Sequence, residues 1–262
     1  MVKFFQSLRL VVFVLLSAFV FGGSPVSADD DSQKATKDAA YHIAVIGDSL
    51  ASGLYDGLRR NLRDREEAVF HVIGETKVNT GLVRSDRYDW PHQVEKLAQS
   101  SDFQVAFLML GGNDAQSFRM KGRRHHYKTE GWEELYRDRI DRIIKALKKK
   151  GIAVYWVGLP NIKNAKRREQ FLHVNAIFKE RAEKLEVGFI DTWDVTNDEK
   201  GRFRPYGKAL SGKKALLRSR DGTHFTFAGN RVLARYAEKA LQEDLIDKDT
   251  SITAGVETKT AP

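Results

Sequence analysis

Tyr41 to Leu50 reads YHIAVIGDSL, and the fold follows from this decapeptide. His42 to Ile46 is a short apolar run rich in β-branched residues and broken by Gly47, the pattern of a strand buried on both faces of a parallel sheet. Ser49 then places a hydroxyl on the turn that opens a helix. Four later runs repeat the design: Ala68 to Ile73 (AVFHVI), Phe103 to Leu110 (FQVAFLML) stopped by Gly111-Gly112, Ile152 to Val157 (IAVYWV) stopped by Gly158 and Pro160, and Val187 to Ile190 (VGFI). Helical spacing fills the gaps. Leu135, Ile140, Ile143, Ile144 and Leu147 share a face; Gly151 sits where a C-cap is wanted, and Lys148 to Lys150 oppose the helix dipole. Val232, Leu233, Tyr236, Ala237, Ala240 and Leu241 recur likewise near the end. Strands alternating with helices predict an α/β three-layer sandwich around a five-stranded, mostly parallel sheet with right-handed crossovers.

The 262 residues suit one large domain, and no internal repeat is visible. With 42% hydrophobic and 30% charged residues the chain is neither collagen-like nor a polytopic membrane protein, and the absence of cysteine excludes disulfides and thiol chemistry. Residues 1–28 read as a signal peptide: Lys3 and Arg9 precede the apolar stretch Leu10 to Phe21, and Val26-Ser27-Ala28 offers small residues for cleavage. The expected location is periplasmic or secreted, with no stable membrane span after cleavage. A polar linker is expected over 29–40, the folded domain over 41–245 and a disordered tail over 246–262. The net charge of +9 falls to +7 once Lys3 and Arg9 are removed. Export excludes nucleic acid as partner and directs this charge toward an anionic envelope glycan or lipid.

Ligands of open α/β sheets bind at the carboxyl ends of the strands. There the chain carries Gly47-Asp48-Ser49-Leu50, then Gly81 within GLVRSDRYDWP, then Gly111-Gly112-Asn113-Asp114, and finally Asp221-Gly222-Thr223-His224. A serine, a glycine, an asparagine and a histidine with an aspartate three residues before it form the inventory of an acyl-transfer site. A serine hydroxyl needs a base within hydrogen-bond reach, and one loop turn supplies both His224 and the Asp221 that orients it.

These blocks, in this order, resemble the SGNH (GDSL) hydrolase superfamily, and the likeness runs from Tyr41 to about Leu241. GLVRSDRYDWP together with the signal peptide further resembles a bacterial exported group known only as a domain of unknown function. The resemblance implies a flavodoxin-like sheet, Ser49 as nucleophile, His224 as base, Asp221 as its orienting partner, and an oxyanion hole from the Ser49 and Gly81 N–H groups and the Asn113 side chain. No G-x-S-x-G pentapeptide occurs, which disfavours the α/β-hydrolase fold. No cofactor is expected. No metal is expected either, because adjacent His125 and His126 diverge and His42, His71, His92 and His173 lack ligand spacing.

Substrate contacts are expected from Arg84, Arg87, Arg123 and Arg124 in the loops after the second and third strands, with Asp86 able to neutralise a neighbour, and from Tyr88, Trp90 and Phe118 as stacking surfaces. The expected activity is an exported serine esterase, or acyltransferase, acting on small acyl groups of an envelope glycan or glycoconjugate. A lysophospholipase or thioesterase, and a non-catalytic glycan-binding protein on a hydrolase scaffold, are the alternatives.

Overall fold

The computed structural model describes residues 40–257 apart from 64, 66–68 and 121, with side chains placed up to residue 243. The expected signal peptide and nearly all of the expected linker lie outside these residues. The chain runs β1 (Ala40–Gly47), α1 (Ser49–Arg63), β2 (Val69–Thr76), α2 (Trp90–Ser100), β3 (Val105–Met109), β4 (Phe118–Met120), β5 (Arg123–His125), α3 (Glu130–Lys149), β6 (Ala153–Val157), α4 (Ala165–Lys184), β7 (Gly188–Ile190), β8 (Tyr206–Lys208), β9 (Lys214–Leu216) and α5 (Phe227–Glu257).

Five strands form a parallel sheet in the order β2-β1-β3-β6-β7, the flavodoxin-like order. All five residues of β3 are buried, as an apolar run in the sheet centre requires. Edge strand β2 alternates, leaving Val69 and Ile73 exposed. Helices α1 and α5 pack together on one face, and α2, α3 and α4 form a contiguous layer on the other. An aromatic stack of Trp132, Tyr136, Phe178 and Trp156 fills the space beneath that second layer.

Local chemistry fixes the helix ends. Asp89 caps α2 by accepting the His92 N–H, with Pro91 in the first turn, and Asn164 caps α4 by accepting the Arg167 N–H. Glu130 and Glu133 open α3, Lys148 and Lys149 close it, and Gly151 follows at φ 73°.

Two expectations need correction. Helix α5 continues to Glu257, so residues 246–257 are helical rather than a tail. Buried Leu233, Ala237 and Leu241 anchor its start, and no proline, and no glycine between Gly229 and Gly255, interrupts propagation of the backbone ladder. Residues 258–262 lie outside the description. The segment after β3 is not an open loop but contains the antiparallel β4–β5 hairpin, and a second small hairpin joins β8 to β9.

Candidate active site

The chain proceeds from β1 outward to β2 and then crosses back over β1 to β3. The loops leaving β1 and β3 therefore diverge, and a cleft opens between them at the carboxyl edge. Ser49, the first residue of α1, stands at this switch point.

Ser49 Oγ lies 2.8 Å from His224 Nε2, across 175 residues of sequence. On the other side of the ring, Nδ1 lies 2.6 Å from Asp221 Oδ2. Asp221 Oδ1 accepts the backbone N–H groups of Thr223 and His224 at 2.9 and 3.0 Å. Burial opposes ionisation of this carboxyl, but the His224 hydrogen bond and the two N–H donors outweigh it and hold the group down at about 2. An ionised Asp221 requires a proton on Nδ1, which leaves the Nε2 lone pair to accept from the Ser49 hydroxyl.

The neighbouring backbone is set by two buried carboxylates. Asp48 accepts from Leu50 N at 2.9 Å and from Gly112 N at 3.2 Å, tying the turn that carries Ser49 to the loop after β3. Asp114 accepts from Leu82 N at 2.9 Å, Val83 N at 3.2 Å and the Tyr136 hydroxyl at 3.0 Å, tying the same loop to the segment after β2. Gly81 is glycine for this reason: a Cβ there would overlap Asp114 Oδ1. Burial raises the Asp48 carboxyl to about 7, against the Leu50 and Gly112 N–H groups, and also raises that of Asp114.

Asn113 Nδ2 donates to the Thr80 carbonyl at 2.9 Å, which places the asparagine beside Gly81 and leaves its second amide hydrogen uncommitted. The Ser49 and Gly81 N–H groups have no acceptor among the described residues. Three donors next to a hydroxyl activated by an imidazole can stabilise an oxyanion formed on the atom that the hydroxyl attacks.

The expected substrate residues divide. Arg84 is engaged by Asp86 at 2.5 Å, so its charge is locally neutralised. Arg87 is exposed. Trp90 does not rim the cleft: it is buried, and its indole N–H donates to Thr80 Oγ1 at 3.0 Å. It therefore braces the residue that holds Asn113. Phe118 is likewise buried, packed at 5.7 Å from the Trp132 ring, and Tyr88 is half-buried edge-on to Trp90. Trp90 and Phe118 each start an element, where an inward-facing aromatic gains more from burial than from exposure. Arg123 and Arg124 stand exposed on β5.

Sequence reasoning missed two arginines. Arg167 donates to the Gly112 carbonyl at 2.9 Å and reaches Thr223 Oγ1 at 3.4 Å, bridging the loops that carry Asn113 and His224. Arg218 is fully buried, lies 4.1 Å over the Phe225 ring and donates to the Thr223 carbonyl at 2.7 Å. Burial lowers its guanidinium to about 10, with the Asp221 charge opposing. Arg218 stands three residues before Asp221, but a lone arginine in a polar loop carries no sign of being buried.

This sheet order, with these blocks at its strand ends, defines the SGNH (GDSL) hydrolase fold. The chain belongs to the family described as protein of unknown function (DUF459), whose model matches residues 42–240. Among solved structures it is similar to an acetyl xylan esterase, at 19% identity over 76% of this chain and 98% of that one, with a TM-score of 0.52. A psychrotrophic esterase from Pseudoalteromonas sp. gives 12% identity, 78% and 98% coverage and a TM-score of 0.53. A GDSL-like lipase from Bacteroides thetaiotaomicron gives 13% identity, 78% and 88% coverage and a TM-score of 0.52. At these identities the likeness establishes the fold. No curated protein matches the chain.

Proposed function

We propose that the protein is an exported serine esterase that removes, or transfers, small acyl groups, O-acetyl above all, on a cell-envelope glycan or glycoconjugate. The observation that carries this reading is the unbroken relay Asp221–His224–Ser49 at the topological switch point. In the proposed reaction Ser49 Oγ attacks the ester carbonyl while His224 Nε2 takes its proton, and the carbonyl oxygen becomes an anion facing the Ser49, Gly81 and Asn113 donors. Collapse of the tetrahedral intermediate breaks the bond to the leaving alkoxide, which receives the proton from His224. Water, or an acceptor hydroxyl, then attacks acyl-Ser49 with His224 again as base.

Preference for a small acyl group on a bulky carrier is supported by the openness of the site. The His224 and Asp221 side chains are 43% and 49% exposed. Cavities of about 190 Å³ beside Trp90 and about 250 Å³ beside Phe227 lie away from both residues, so neither offers an acyl tunnel to Ser49. One solved relative in fold is named for acetyl xylan, and another was solved inhibited by monoethylphosphonate, a reagent suited to a serine nucleophile. Export rests on residues 1–28, and among the described residues no helix is long and apolar enough to cross a membrane.

The test is hydrolysis of p-nitrophenyl acetate by the purified protein, with Ser49→Ala as control. Ser49→Ala should abolish the enzyme-dependent rate. Equal rates for the two proteins would overturn the assignment. Rates that climb with acyl chain length would favour a lysophospholipase or thioesterase instead.

A further inference from the structure

The β4–β5 hairpin carries a charge that the fold does not neutralise. Between Asp114 and Glu130 the sequence holds Arg119, Lys121, Arg123, Arg124 and Lys128 and no acidic residue. The antiparallel register sets Arg119 directly opposite Arg124 and Met120 opposite Arg123. Like charges paired across two strands repel, so this register is unfavourable unless an anion lies over it. On the neighbouring helices, by contrast, several arginines are matched: Arg137 with Glu133 and Glu180, Arg142 with Glu95, and Arg181 with Asp141. Among the described residues no carboxylate pairs with Arg119, Arg123, Arg124 or Lys128, and all four are exposed.

The hairpin is also tied to the cleft. Gln116 Nε2 donates to the Asn113 carbonyl at 2.7 Å, and Trp132 Nε1 donates to the Gln116 carbonyl at 2.8 Å. Phe118 anchors the first strand in the core, with the Arg139 guanidinium 4.9 Å over its ring. The basic ladder therefore starts a few residues from Asn113 on a fixed base. The exposed large apolar side chains, such as Val78, Leu172 and Phe227, lie outside the hairpin, which leaves it without the apolar wedge that insertion into a bilayer uses.

We propose that this hairpin docks an anionic polysaccharide, one oxyanion group lying over the Arg119–Arg124 pair on its outward face and the next reaching exposed Arg123 at the edge beside the turn, so that ester substituents of the same chain reach Ser49. The proposal builds on the esterase reading and names its substrate class. Arginine forks suit repeated carboxylates or phosphates, and a polymer engages several at once. Attraction of this kind weakens as salt screens it.

Binding is read on the Ser49→Ala protein by affinity electrophoresis through gels containing polygalacturonate or, as the neutral control, dextran. Retention by polygalacturonate should fall about tenfold in the Arg119→Gln/Arg124→Gln double variant, and for the parent should largely vanish at about 0.5 M salt. The single variant Arg123→Gln, at the exposed start of β5, should lower retention about threefold and guards against misfolding of the double variant. Equal retention on dextran, or retention indifferent to these substitutions, overturns the proposal. So does arginine-dependent binding to phosphatidylglycerol vesicles without binding to polygalacturonate. Because the Ser49→Ala protein is used, failure of the esterase assay would leave this result standing, and the reverse.

Discussion

Asn113 illustrates how much of the site depends on single hydrogen bonds. Its amide is fixed by the Thr80 carbonyl, whose own hydroxyl is held by the Trp90 indole, so one hydrogen remains to meet an oxyanion. Asn113→Ala should lower kcat for p-nitrophenyl acetate by about 10²- to 10³-fold with a smaller effect on KM, since the donor acts on charge that develops in the transition state. An unchanged kcat would remove Asn113 from the oxyanion hole. At this scale the sequence was informative where chemistry and spacing coincide: the three-residue step from Asp221 to His224 places both groups on one turn. It was uninformative for Trp90 and Phe118, because an aromatic beside a polar loop reads the same whether it faces solvent or core.

Among the elements, the contact of α1 with α5 is close enough to admit only glycine at one position. Gly57 lies where a Cβ would overlap the Asn230 carbonyl and come within 3.0 Å of the Ala234 Cβ. Gly57→Ala gains up to about 1 kcal/mol of helix propensity. Overpacking against a backbone atom should outweigh that gain, with a cost of about 1–3 kcal/mol. Urea unfolding followed by circular dichroism would measure the balance, and an equal or higher midpoint would show that the helices separate freely. The five parallel strands were legible because each apolar run ends at glycine or at a polar turn. The β4–β5 hairpin was not, since three-residue strands are too short for alternation to mark them and these carry no β-branched residue.

For the whole molecule, stability as a function of pH reflects two opposed sets of carboxyls. Asp221, held at about 2 in the fold, contributes stability that is present above its ordinary range and lost as pH falls through its folded value. Asp48, raised by burial to about 7, acts the other way: its contribution is complete below its ordinary value of 3.8 and is lost as pH rises through 7. Asp114, also raised by burial, adds to this loss. The urea midpoint should therefore decline between about pH 4 and pH 7, with Asp48 accounting for up to about 4 kcal/mol at about 1.4 kcal/mol per pH unit. Asp48→Asn disturbs the Gly112 contact at every pH but should flatten that slope, and an unaltered slope would show that Asp48 stays ionised. The sequence by itself determined the alternation of strands and helices, the side of the sheet where chemistry collects, and the identities of Ser49, Asp221 and His224, because periodicity and short spacings are local properties of the chain. Only the tertiary structure decided that Asp48 and Asp114 bind the loops together across 64 and 32 residues, that Arg218 is buried, and that Trp90 braces rather than binds. Those contacts exist only after the crossover returns the chain past β1, and no local pattern encodes which distant backbone groups the return brings within reach.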